Sequence, residues 1–404
     1  PTHATLTSRQ RWVGRIDTGH TGSAGSMQFF EVTYTLWTGA RKFLRSEFFR
    51  NMGRYSTSAS AAQVLMMVYT ILVARALGPD QFGKYSGTYA LTGLTIFAVN
   101  WGMDTLLLRE PGSLANPRAW SGRVLRIKMG AGLVWATLLV IVAPLIRPDV
   151  FTHSLVLVCA LDIWADGALN THNAVLNVEK RIRTASRLVF FSRFARLLGG
   201  IVLVISGVQQ PLLYAATRAV MTMASLFIAA WVVKPNLNFA RLPSTRELFR
   251  MSTPYGLSEM LVLIYMQADV TLLTLLKGSE AAGVYSPASG LINALFIIPT
   301  TLFFVIVPPL SNQYLHHQNR LRSSIIKITL GFLGLGIVLA LGVGLTGGWI
   351  IRLLLGAKYA VTSILLVTLS PLLFFKSLGF GWAAFLVAVG WQKQRLIPQV
   401  VSAV

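Results

Sequence analysis

The chain has 404 residues, of which 54 % are apolar and 12 % charged, with a formal net charge of +22 and a mean hydropathy of +0.60. Soluble domains carry roughly a quarter of their residues as charges, so this composition excludes an ordinary soluble protein and calls for a polytopic membrane protein. A charge of +22 raises the question of nucleic acid, and the placement of the basic residues, described below, answers against it.

Residues 1–26 are rich in Thr, Ser, Gly and Arg, contain no apolar run and do not begin with methionine. They read as a disordered or non-native leader, because a signal peptide needs an apolar core; Met27 is the expected start. From residue 27 to 55, Phe29, Phe30, Trp37, Phe43, Phe48 and Phe49 alternate with Arg41, Lys42, Arg45 and Arg50. That mixture fits an amphipathic helix lying in the membrane interface or a solvated leader.

Crossing the hydrocarbon takes about 20 mainly apolar residues. Ten such spans are expected, at 56–76, 85–108, 124–146, 154–176, 188–206, 211–233, 254–276, 285–310, 325–345 and 362–390, and an eleventh begins at Leu396 and is cut off at Val404. The basic residues divide sharply between the two sides. The segment before the first span, the loops after the even-numbered spans and the first turns of the spans that follow those loops carry 25, from Arg41 to Arg395, whereas the opposite side carries six: Arg75, Lys84, Arg147, Lys277, Arg352 and Lys358. Lys and Arg accumulate in cytoplasmic loops, so the N-terminus is expected in the cytoplasm. The charge excess is topological and no nucleic-acid partner is implied.

Between the first two spans, residues 77–86 read L-G-P-D-Q-F-G-K-Y-S, and residues 277–286 read K-G-S-E-A-A-G-V-Y-S. Gly78, Asp80, Gly83 and Tyr85 correspond to Gly278, Glu280, Gly283 and Tyr285. Fixed-offset self-similarity marks a repeated structural unit, and in membrane proteins it points to a two-lobed transporter. The expected organisation is an N-terminal lobe over 56–233, a cytoplasmic linker over 234–253 and a C-terminal lobe over 254–404, incomplete. Each turn is expected to be an outward-facing structural reversal, with the glycine closing one helix in a left-handed position and the carboxylate at the positive start of the next.

Several spans carry residues that bend helices. Pro254 is expected to open the seventh span, while Pro299 and Pro371 lie inside the eighth and tenth, where a lost backbone bond kinks the helix.

Ionisable groups inside a span cost about 2.5 to 3.5 kcal/mol each on insertion scales and mark function by default. In the fourth span Asp162, Asp166, Asn170, Asn173 and Asn177 fall on one helical face. That face either lines a watery cavity or is sealed by polar partners. Arg193 and Arg196 are neighbours in the fifth span, and Arg218 stands in the sixth beside Tyr214 and Ser225. The guanidinium fork binds phosphate bidentately, so these three are candidate phosphate ligands. Tyr255, Glu259, Met266 and Asp269 share a face of the seventh span. Glu259 and Asp269, with Asp162 and Asp166, would serve ion coupling or ion pairing; pairing of the seventh-span carboxylates with Arg218 and Arg196 is the favoured form. Cys159 is the only cysteine, so neither a disulfide framework nor a metal cluster is expected, and no cofactor is implied.

These residues carry a family resemblance. L-V-A-R-A-L-G-P-D-Q-F-G-K-Y at 72–85, W-G-M-D-T-L-L-L-R-E at 101–110, D-V-T-L-L-T-L-L-K-G-S-E-A-A-G-V-Y at 269–285 and L-L-L-G-A-K-Y at 353–359 resemble the Wzx-type oligosaccharide flippases of the multidrug/oligosaccharidyl-lipid/polysaccharide (MOP) superfamily. The resemblance implies an all-α fold of two six-helix lobes around a V-shaped cavity with alternating access. It implies transport of an undecaprenyl-diphosphate-linked oligosaccharide across the bacterial cytoplasmic membrane, with membrane lipids, a polysaccharide polymerase and a chain-length regulator as partners. On that reading Asn170, Asn173, Asn177, Tyr214 and Tyr255 would face the sugar. The alternatives are a drug or cation antiporter of the same superfamily, and an integral-membrane polyprenyl-sugar glycosyltransferase or polymerase. Against the enzyme stand short outer connections and the lack of a nucleophile or metal-ligand constellation.

Overall fold

The computed structural model describes residues 47–235, 242–316 and 318–389. The leader, the interfacial segment up to residue 46 and the eleventh span lie outside the described residues. The described chain is helical throughout: α1 Glu47–Thr95, α2 Phe97–Asn100, α3 Met103–Arg109, α4 Pro111–Ala115, α5 Pro117–Ile146, α6 His153–Val178, α7 Ile182–Ile205 and α8 Pro211–Val233. There follow α9 Thr245–Lys277, α10 Ser279–Leu295, α11 Ile297–His316, α12 Gln318–Leu354, a 3₁₀ turn at Ala357–Tyr359, α13 Ala360–Leu369 and α14 Pro371–Ala388.

Among the described residues nine helical runs are long and apolar enough to cross a membrane. The first, Ala61–Asn100, holds two of the ten expected spans, because α1 is broken at Gly78, whose φ is 74°. That the chain folds back there follows from Tyr69 and Tyr85, whose hydroxyls lie 3.1 Å apart. Sixteen residues of straight helix would separate them by about 24 Å. The second copy behaves alike: Gly278 has φ 91°, and Tyr285 donates its hydroxyl to Asp269 Oδ2 at 2.8 Å, again across 16 residues.

The two turns pack on each other. A Cβ on Gly83 would overlap the Ser279 backbone and one on Gly283 would overlap the Pro79 backbone, so each copy presses a hairless helix face against the start of the other. Asp80, expected to serve its own helix start, accepts from the Ser279 hydroxyl and pairs with Lys84 at 3.3 Å. Glu280 lies in the first turn of α10, as expected. From this junction the second span, from the second arm of α1 to the break after α2, runs antiparallel to α9: Gly87 meets Thr274, Gly93 meets Gln267 and Gly102 meets Gly256.

The proline expectations need adjustment. The seventh span begins at Thr245, where Ser244 and Glu247 form a reciprocal capping box, so Pro254 sits inside α9 and part of the expected linker is helix. A box of this kind satisfies two orphan N–H groups at once, which outweighs the preference of proline for a first turn. The eighth span breaks at Phe296, just before Pro299, and the tenth breaks at Ser370, immediately before Pro371. The second span has a break that the sequence did not suggest: Trp101 and Gly102 take left-handed values, φ 40° and 67°.

Candidate functional site

The polar face of α6 spans about 22 Å from Asp162 to Asn177 at 1.5 Å per residue, and its carboxylates meet arginines from α7 and α8. Toward the repeated turns, Arg218 Nε lies 2.7 Å from Asp162 Oδ2, a close ion pair whose angle falls outside a hydrogen bond. Thr222, one helical turn beyond Arg218 in α8, donates to Asp162. The Arg218 guanidinium covers the Tyr89 ring at 4.1 Å and reaches Tyr85 Oη at 3.5 Å. Tyr85 in turn contacts Tyr69, so a string of hydroxyls links this ion pair to the first repeated turn.

One turn along α6, Asp166 takes two arginines. Arg196 Nη2 donates to Oδ1 at 2.5 Å and Arg193 Nη2 to Oδ2 at 3.3 Å. The Arg196 side chain is 0 % exposed and that of Arg193 is 24 % exposed. Arg196 Nε and Nη1 are buried without an acceptor among the described residues. Three guanidinium charges thus face two carboxylates, one positive charge in excess. A buried surplus cation with two idle donors is costly on its own, and an anion with several acceptor oxygens would relieve that cost.

Beyond Asp166 the face opens and then closes again. Asn170 is exposed and Asn177 half-buried, whereas Asn173 is buried with Oδ1 lacking a partner among the described residues. Behind this part lies a cluster that sequence reading missed. Lys128, in α5, is 1 % exposed and donates to Asp104 Oδ1 at 2.8 Å and Oδ2 at 2.9 Å, to Thr171 Oγ1 at 2.9 Å and to the Gly167 carbonyl at 3.3 Å. The sequence signal for it is the place of Lys128 inside the expected third span, 124–146.

The seventh-span carboxylates take other partners than those favoured from sequence. Arg218 and Arg196 pair instead with Asp162 and Asp166 of α6. Glu259 accepts the Gly102 N–H at 3.1 Å, at the break in the second span, and Asp269 accepts from Tyr285 and Ser289. Tyr255 lies under Arg109, 5.5 Å from the ring centre. Tyr214 is fully buried and its hydroxyl donates to the Val208 carbonyl at 2.9 Å, a packing position and not a sugar contact. Cys159 is free and buried. A second unforeseen cation, Lys376 in α14, stands 4.1 Å from the Phe296 ring centre and 4.4 Å from that of Tyr265. No group of three or more potential metal ligands occurs among the described residues.

A family model described as "Polysaccharide biosynthesis protein" matches residues 48–314. The chain belongs to this family. Comparison of the polysaccharide biosynthesis protein with curated sequences finds no match. Its fold is shared by solved structures of the MOP superfamily. An inward-facing multidrug-resistance MATE transporter aligns with TM-score 0.70 at 13 % identity, covering 85 % of this chain and 84 % of its own. The lipid II flippase MurJ, in an inward closed conformation, aligns with TM-score 0.64 at 14 % identity, covering 83 % and 76 %. A MOP superfamily transporter from Pyrococcus furiosus aligns with TM-score 0.58 at 12 % identity, covering 88 % and 86 %.

Proposed function

We propose that this polysaccharide biosynthesis protein is a transporter that moves a polyprenyl-diphosphate-linked oligosaccharide across the bacterial cytoplasmic membrane by alternating access. The observation that carries the reading is the arginine surplus on α7 and α8: Arg193 half-exposed, Arg196 buried with two idle donors, and both on one carboxylate. A diphosphate matches that need in charge and in acceptor geometry, and the exposed Asn170 offers the amide that sugar hydroxyls pair with. Arg218 belongs to the same polar system, held by Asp162 nearer the repeated turns. The distribution of Lys and Arg supports a cytoplasmic N-terminus, with the basic loop that begins at Arg109 on the same side and the repeated turns on the other. The packing of those turns on each other supports a conformation closed on their side. A cation antiporter would want free carboxylates, and Asp162 and Asp166 are both engaged by arginine.

The test is export in a strain that lacks the chromosomal copy. Arg193→Ala is expected to abolish surface polysaccharide while the protein still inserts, and Arg193→Lys, which keeps the charge and loses the fork, to restore part of it. Surface polysaccharide unchanged in Arg193→Ala would overturn the phosphate assignment. Drug efflux without accumulation of lipid-linked oligosaccharide on the inner leaflet would overturn the substrate class.

A further inference from the structure

An open crevice of ≈ 330 Å³ lies between α5 and the first turns of α9, lined by Arg123, Arg126, Ile127, Gly130, Thr245 and Phe249 among others. On α5, Arg123, Arg126, Ile127 and Gly130 follow the three- and four-residue spacing that puts side chains on one helical face. Arg123 Nη2 donates to Thr245 Oγ1 at 3.0 Å, so the crevice has its polar end where the two helices touch. Arg126 is exposed, as are Arg246 and Arg250 in the opening turns of α9. Farther into the helices the walls become apolar: Ile127 and Phe249 are partly buried and pack on one hydrophobic cluster. A Cβ at Gly130 would meet nothing within 4 Å, so the floor is open at that point.

The crevice lies on the strongly basic side of the protein, flanked by residues 109–122 and 242–250. Arg123 and Arg126 stand at the start of the expected third span, 124–146, where a side chain meets lipid headgroups. A basic mouth above an apolar floor at that depth is complementary to an amphiphile with an anionic head. Cationic side chains near the membrane surface attract anionic lipid, and phosphate suits the guanidinium fork.

We propose that this crevice is a binding site for one anionic phospholipid of the cytoplasmic leaflet, its phosphate between Arg123 and Arg126 and one acyl chain along Ile127, Gly130 and Phe249. The bound lipid ties α5 to α9. The site is separate from the arginine cluster on α7 and α8 and does not depend on what the protein transports.

The test uses the protein purified from mixed micelles of phosphatidylglycerol and phosphatidylcholine, with retained lipids counted by native mass spectrometry. The unaltered protein is expected to retain phosphatidylglycerol in preference to phosphatidylcholine. Arg123→Gln/Arg126→Gln is expected to lower that preference by more than about tenfold, given two cations near the headgroup. Gly130→Leu keeps both arginines, points a side chain into open space and fills the acyl floor; it is expected to lose the same lipid while retaining its melting temperature. It therefore decides the matter even where the double variant fails to fold. Equal retention of the two lipids, a phosphatidylglycerol preference that survives Gly130→Leu, or displacement of the lipid by millimolar inorganic phosphate would each overturn the proposal.

Discussion

Ser286 donates its hydroxyl to Ser86 at 3.0 Å, although 200 residues separate them. The two occupy the same position in the two copies of the repeated turn, so they meet close to the axis that relates the copies. A cysteine pair at these positions is therefore expected to form a disulfide on mild oxidation. The native Cys159 is buried and would not compete. The cross-link should hold the turns together and stop export, and reduction should restore it. Rapid export by the fully cross-linked protein would show that the turns do not part during transport.

The turns also make a packing prediction. Gly283 faces the Pro79 backbone without room for a Cβ, whereas Gly290, two turns along the same helix, has open space. Overpacking typically costs about 1–3 kcal/mol, and here the obstacle is backbone, which cannot rotate aside. Gly283→Val should lower the melting temperature in detergent or shift the protein to a conformation with the turns apart. Gly290→Ala should do neither. Equal effects from the two substitutions would count against close backbone contact at the turns.

The buried pair of Arg218 and Asp162 should show strong coupling. Side-chain exposure is 14 % and 0 % respectively, so neutralising one partner strands the other charge in the bundle, at a cost of about 3–5 kcal/mol. Asp162→Asn and Arg218→Gln are each expected to destabilise severely, and the double variant to be closer to the parent than either. Additive losses in a double-mutant cycle, read by detergent or denaturant unfolding, would mean that the two charges are stabilised independently.

Much of this architecture is legible in the sequence, for definite physical reasons. Apolar run length sets the spans, and the 200-residue echo of Gly78, Gly83, Tyr85 and Ser86 marks the turns that meet. The 4, 4, 3 spacing from Asp162 identifies a face that lipid cannot cover. What is hidden is pairing. Spacing on α6 fixes which residues share a face but not which neighbouring helix supplies the counter-charge, so Asp162 and Asp166 could not be assigned to Arg218 and Arg196. Lys128 was masked by the basic loop preceding it. The break at Trp101 and Gly102 was masked because non-glycine residues seldom take left-handed values, and the carboxylate that meets it, Glu259, comes from a distant helix.

That carboxylate permits a sharper test of the break. Glu259 Oε2 accepts the Gly102 N–H, a donor that has no helical acceptor of its own because α2 has ended and α3 has not begun. Leaving a buried donor unpaired costs about 1–3 kcal/mol. Glu259→Gln retains an oxygen in the same place and should cost little, whereas Glu259→Ala should destabilise by the larger amount. If instead the negative charge matters, for example through the Asp104 and Lys128 cluster close to the break, the glutamine variant will resemble alanine. The expected order is parent close to glutamine, with alanine well below. The same order should appear when Trp101, next to the break and donating to Thr253 at 3.3 Å, is used as a fluorescence reporter of local solvent exposure in variants lacking the other tryptophans.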